Sequence, residues 1–126
     1  MNNSIRLART CYRHLAGRLG VELAEALVAR GLLDAQSEGF ALTAAGARAF
    51  AELGLCLPPA RGRRTILARR CLDCTERRPH VGGALGAALA RHCFEQGWLV
   101  RVEDSRALRV TPHGREELRR VFGVGA

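Results

Sequence analysis

Residues His14 to Leu33 read HLAGRLGVELAEALVARGLL, and residues His80 to Leu99 read HVGGALGAALARHCFEQGWL. The two stretches align without a gap at an offset of 66, with identity at His14/His80, Gly17/Gly83, Leu19/Leu85, Gly20/Gly86, Leu23/Leu89, Ala24/Ala90, Gly31/Gly97 and Leu33/Leu99. The likeness continues downstream, where Phe40-Ala41-Leu42-Thr43-Ala44-Ala45-Gly46 parallels Leu108-Arg109-Val110-Thr111-Pro112-His113-Gly114. Self-similarity at a fixed spacing marks a repeated supersecondary unit. The chain therefore reads as a tandem duplication.

Both copies carry the same local logic. Leu19, Leu23 and Leu27 recur at i, i+4 and i+8, as do Leu85, Leu89 and Cys93, which gives each copy a helix with one apolar face. Gly31 and Gly97 follow the last turn, where a left-handed residue ends a helix. Leu32-Leu33 and Trp98-Leu99-Val100 begin a strand. Asp34–Gly39 and Glu103–Arg106 supply polar turns. Phe40-Ala41-Leu42 and Leu108-Arg109-Val110 alternate as a second strand. Thr43 and Thr111 are N-cap candidates, with Pro112 at the favoured first helical position. A short closing helix follows in each copy.

Ahead of each unit the apolar spacing predicts a further helix, over 5–16 from Ile5, Leu7, Ala8, Cys11, Tyr12 and Leu15, and over 64–74 from Ile66, Leu67 and Leu72. Leu57-Pro58-Pro59-Ala60-Arg61-Gly62 punctuates the chain as a linker. The expected organisation is repeat 1 over 1–54, a linker over 55–63 and repeat 2 over 64–126, or the same parts folded as one compact domain.

With 126 residues and 48% hydrophobic content the chain is long and apolar enough for a real core. No stretch reaches the roughly 18 apolar residues of a membrane span. Met1–Arg6 has no apolar run, so a cytoplasmic protein without membrane partners is expected. The net charge is +8, and every basic residue is Arg. Residues 55–79 hold 7 Arg against 2 acids, whereas residues 1–54 hold 6 against 5 and residues 80–126 hold 7 against 5. Such a central basic stripe suits either a polyanion or a solvated connector. Within it Arg61, Arg63, Arg64, Arg69 and Arg70 are the candidate nucleic-acid contacts.

The run from helix through Gly-Leu-Leu to a hairpin ending in Leu-Thr-x-x-Gly resembles the wing of bacterial winged-helix repressors. Leu15-Ala16-Gly17-Arg18-Leu19-Gly20-Val21 resembles a helix-turn-helix turn, in which Gly20 would make the sharp bend. Two longer blocks, Ala8–Gly17 and Cys71–Gly86, resemble the C-terminal half of a subgroup of ArsR-type helix-turn-helix transcriptional regulators. Cys74 departs from that pattern, which has an aromatic residue there. The resemblance implies an α+β, mostly helical fold, a tandem duplication of a winged-helix-like unit of helices plus a two-stranded hairpin. It also implies a homodimer, and a DNA-reading winged helix that precedes this region and is not in this chain.

Two features bear on direct DNA reading. Gly20 to Gly31 and Gly86 to Gly97 span 11 positions each, more than one turn short of the DNA-reading helix the resemblance implies. Major-groove readers also present Arg, Asn, Gln or Lys. Here Val21–Ala26 offers two carboxylates, and Ala87–His92 is mostly apolar. An effector-sensing or dimerisation module is therefore the expected role. Direct DNA binding through the wings and the Arg61–Arg70 segment is the alternative.

Five cysteines are present, and a cytoplasmic setting makes buried thiols or a metal site the options rather than disulfides. Cys11-x-x-His14 opens the first repeat, and Cys71-x-x-Cys74 followed by His80 opens the second. Thiolate and imidazole at this spacing suit zinc or another thiophilic metal. On a helix, i and i+3 would share a face. The same five residues also suit a core. Asp73, Glu76, Arg77 and Arg78 lie in an insertion of about six residues that the first repeat lacks, where an inserted loop can carry function. They form either an anion or effector site or a solvated turn. There is no G-x-S-x-G, no phosphate loop and no H-E-x-x-H, so a non-enzymatic protein is expected.

Overall fold

A computed structural model describes residues 8–11, 14–36, 39–55, 68–72 and 79–124, with residue 14 and residues 68–72 described as backbone. The fold is α+β, with four helices and small antiparallel hairpins. The first half runs β1 (Arg9–Cys11), β2 (His14–Ala16), α1 (Gly17–Ala29), β3 (Leu33–Ala35), β4 (Gly39–Leu42) and α2 (Ala44–Leu53). The second half repeats that order as β5 (Ala68–Leu72), β6 (Pro79–Val81), α3 (Gly83–Glu95), β7 (Leu99–Arg101), β8 (Leu108–Val110) and α4 (Pro112–Phe122).

The downstream part of each half forms as its sequence predicts. Gly31 and Gly97 sit at φ +74° and +72°, the left-handed conformation that ends α1 and α3. The strands after each long helix pair as Leu33↔Leu42 through Ala35↔Phe40 and as Leu99↔Val110 through Arg101↔Leu108. The Thr43 hydroxyl accepts the Gly46 amide at 2.9 Å, and the Thr111 hydroxyl accepts the Gly114 amide at 2.9 Å. Each hydroxyl also donates backward, Thr43 to the Gly31 carbonyl at 2.6 Å and Thr111 to the Gly97 carbonyl at 2.8 Å. One threonine in each half therefore joins the end of the long helix to the start of the short one.

The upstream part differs from expectation. In place of the predicted helices over 5–16 and 64–74, Arg9–Cys11, His14–Ala16 and Ala68–Leu72 are strands. The 3.6-residue spacing of Ala8, Cys11 and Leu15 is real, but pairing to a distant segment outweighs it. The β1–β2 hairpin pairs Arg9↔Ala16 through Cys11↔His14, and β5–β6 pairs Arg70↔Val81 through Leu72↔Pro79. The chain turns from strand into helix at Gly17 and Gly83, whose φ values are +74° and +67°. Gly20 therefore does not make a helix-turn-helix bend. It lies inside α1, where a Cβ would stand 2.5 Å from the Leu15 carbonyl oxygen and 3.4 Å from the His80 Cβ. Its missing side chain lets β2 and the other half's β6 approach the helix.

The two halves exchange their hairpins. In one sheet the order is β3-β4-β5-β6, with Gly39↔Arg69 and Phe40↔Ala68 joining the first half's β3–β4 hairpin to the second half's β5–β6 hairpin. On the other side Arg9 bridges Ala107. There the Leu108 amide donates to the Ala8 carbonyl at 3.0 Å and the Thr10 amide to the Arg106 carbonyl at 3.1 Å. The second half's β7–β8 hairpin thus receives the first half's β1–β2 hairpin in the matching register. The long helices cross as well, α1 packing on β6 and α3 on β2.

The core follows from this crossing. Leu19, Leu23 and Leu27 are buried together with their counterparts Leu85, Leu89 and Cys93. Leu15, Gly20 and Leu23 face Val81, Gly86 and Leu89 around a void of about 10 Å³, about the size of one water. Phe50 of α2 meets Phe122 of α4 at 6.4 Å between ring centroids, and Trp98 continues the cluster to Phe122 at 6.4 Å. Arg30, at the end of α1, donates to the Val121 carbonyl at 2.7 Å, so the first half caps the last helix of the second. No helix among the described residues is long and apolar enough to cross a membrane.

Candidate functional site

Of the Cys/His set, Cys11, His14, Cys71 and His80 sit on the hairpins rather than on helices. Cys11 stands opposite His14 in the β1–β2 register, and Cys71 stands opposite His80 in the β5–β6 register. Directly opposed residues of an antiparallel pair share a sheet face, so each Cys–His pair is a cross-strand pair and the two pairs are equivalent between halves. The i,i+3 helical geometry expected for Cys11 and His14 is replaced by this hairpin geometry. Cys11 is half-buried and His80 is buried. Among the described residues no three His, Cys, Asp or Glu gather as a metal site. Cys74 lies outside the described residues. Cys93 is in the core as expected from its alignment with Leu27, and burial pushes its thiol up to about 12.

Asp73, Glu76, Arg77 and Arg78 lie outside the described residues, as do Arg61, Arg63 and Arg64. Arg69 and Arg70 are consecutive positions of β5, Arg69 at the junction with β4 and Arg70 paired with Val81. Their places in the sheet are fixed by the same crossing that builds the core.

The long helices are largely inside the protein. In α1 the buried residues are Gly17, Leu19, Gly20, Val21, Leu23, Ala24 and Leu27, and its exposed Arg18 is tied to Glu22 at 2.9 Å. In α3 seven of the thirteen residues are buried, including His92. His92 meets the Trp98 ring edge-on at 5.1 Å, and burial lowers its pKa against the opposing pull of Glu95.

The charged surface that sequence reading missed is on α4. Val110, Pro112, Arg115, Glu116 and Arg119 line an open groove of about 380 Å³. Arg120 beside it is engaged by Glu117, and Arg101 lies 4.4 Å over the Phe94 ring. The guanidinium groups of Arg115 and Arg119 make no ion pair or hydrogen bond with the described residues. The signal was present in the sequence: at the matching positions of α2, 68 residues earlier, stand Ala47 and Ala51.

The chain is 43% identical over 111 residues to YdfF, an uncharacterized HTH-type transcriptional regulator of Bacillus subtilis (strain 168). The matched region covers 88% of this chain and 49% of that protein. The chain thus spans about half the length of the curated relative it matches. No family model matches the chain, and no solved structure matches it.

Proposed function

We propose that this chain is the effector-sensing half of an ArsR-like helix-turn-helix transcriptional regulator, working as a homodimer, with DNA read by a winged helix outside this chain. The observation that carries the reading is the 43% identity to half of an HTH-type transcriptional regulator. The burial of α1 and α3 supports it, because a base-reading helix needs an exposed polar face. The role is regulatory and non-enzymatic. The repeated element order, the matched glycine conformations and the reciprocal hairpin exchange further support an origin by tandem duplication of a winged-helix-like unit.

The test is fluorescence anisotropy of a labelled random duplex at low salt. This chain is expected to leave the duplex free. Binding that weakens steeply as salt rises would overturn the reading in favour of direct contact through the wings and the Arg61–Arg70 segment. A second reading rests on the equivalent Cys11/His14 and Cys71/His80 registers. In it these residues, with Cys74, hold zinc or another thiophilic metal. Metal analysis of purified protein before and after chelator decides it, since bound metal at a fixed ratio supports it and metal-free protein with unchanged thermal unfolding removes it.

A further inference from the structure

The repeated architecture provides an internal control for every surface residue. Helices α2 and α4 start from the same threonine cap, approach the preceding helix end at Gly46 and Gly114, and end at Gly54 and Gly123 in the left-handed conformation. One scaffold position is therefore seen twice. At the positions of Pro112, Arg115 and Arg119, helix α2 has Ala44, Ala47 and Ala51, all exposed. The scaffold forms with alanine at these places, so the two arginines are not needed to build it.

Their setting gives them another use. Arg115 and Arg119 are one turn apart, about 6 Å along the axis at 1.5 Å per residue. Both are exposed, and neither guanidinium is neutralised by a described residue. Together with Val110, Pro112 and Glu116 they line an open groove of about 380 Å³. That volume is in the range of small-molecule sites. Paired guanidinium forks favour carboxylate or phosphate oxygens. A carboxylate among the lining residues, that of Glu116, can accept a hydrogen bond from a ligand donor and repels a continuous polyanion.

We propose that the α4 groove binds a small organic anion, one that carries an oxyanion group for Arg115 and Arg119 and an ammonium or hydroxyl donor for Glu116. This inference rests on the reading of the chain as an effector-sensing module and names the chemistry of its effector. The probe is O-phosphoserine, titrated into the full chain and followed by amide NMR shifts. Phosphoglycolate, which lacks the ammonium, and a random DNA duplex are the comparison arms.

O-phosphoserine is expected to produce saturable shifts centred on 110–119. R115A/R119A, which gives α4 the residues α2 already has, should weaken binding at least about tenfold, as expected for lost charge-assisted hydrogen bonds, with an unchanged circular dichroism spectrum. Phosphoglycolate should bind more weakly than O-phosphoserine, and E116Q should narrow that difference. Linear, unsaturating shifts, or equal binding by R115A/R119A, would overturn the proposal. If neither anion nor duplex binds, the groove proposal falls while the regulatory reading stands. If the duplex alone binds, both fall.

Discussion

Helices α2 and α4 show how far two similarly held helices can differ on the outside while remaining alike within. Both lean on the end of a longer helix through a glycine whose Cβ would lie 2.0 Å from a carbonyl oxygen, that of Leu32 for Gly46 and that of Trp98 for Gly114. Both take their first amide bond from a threonine whose hydroxyl also reaches back to Gly31 or Gly97. Outward they differ. The exposed positions of α2 are mostly alanine, with Arg48 and Glu52, whereas α4 carries His113, Arg115, Glu116, Arg119 and Arg120. Backbone contacts and caps hold the shared frame, and side chains that do not touch the frame are free to specialise.

The comparison is broken most forcefully at its shared glycines. Gly46→Ala and Gly114→Ala each drive a methyl into a backbone carbonyl that has no flexible end to move aside. Each substitution should cost roughly 3 kcal/mol or more, the upper part of the range for overpacking, read from urea unfolding of the full chain. A cost below about 1 kcal/mol at either site would show that the two helix approaches are not equivalent. Gly31→Ala and Gly97→Ala meet nothing within 4 Å. They should cost about 1 kcal/mol, for the left-handed conformation alone.

The threonines come next. Thr43→Ala and Thr111→Ala each remove a cap and a backward hydrogen bond, for about 1–2 kcal/mol per site in the same unfolding measurement. Pro112 fixes the first residue of α4 in a helical φ, and Ala44 leaves α2 without that restraint. The loss should therefore be smaller at Thr111 than at Thr43. The opposite order would show that the Pro112 restraint does not hold the start of α4, because the backward bonds, 2.6 Å at Thr43 and 2.8 Å at Thr111, favour the predicted order.

These caps, turns and the β3–β4 and β7–β8 strands were legible because each is written in a few adjacent residues: Leu-Thr-x-x-Gly, Pro112, and the glycines after the long helices. The hairpins β1–β2 and β5–β6 were not. Their strands are three to five residues long, and their partners β8 and β4 belong to the other half, which a local window cannot see. Gly20 misled for the same reason, since its role is the approach of Leu15 and His80 rather than a turn. Cys11 and His14 are neighbours as the spacing suggests, but across a hairpin. The α4 groove was hidden for a different reason, because Arg115 and Arg119 stand out only once α2 is recognised as their control.

The long helices offer a gentler test, because the second half holds a titratable group where the first has none. His92 of α3 matches Ala26 of α1. It is 8% exposed, packed on Trp98, with its pKa held below the usual histidine value of 6.5 by burial and partly restored by Glu95. A depressed folded-state pKa means that the unfolded chain binds the proton first as pH falls. His92 therefore contributes stability that is fully present above pH 6.5 and is lost as pH falls through the folded value. Urea midpoints measured downward from neutral pH should show that loss in the native sequence. His92→Ala, which copies the first half, should flatten it at some cost in packing against Trp98. If the pH slope survives in His92→Ala, the titrating group lies elsewhere and the burial of His92 has no consequence for pH. If the slope disappears, this difference between α1 and α3 makes the second half the acid-sensitive one.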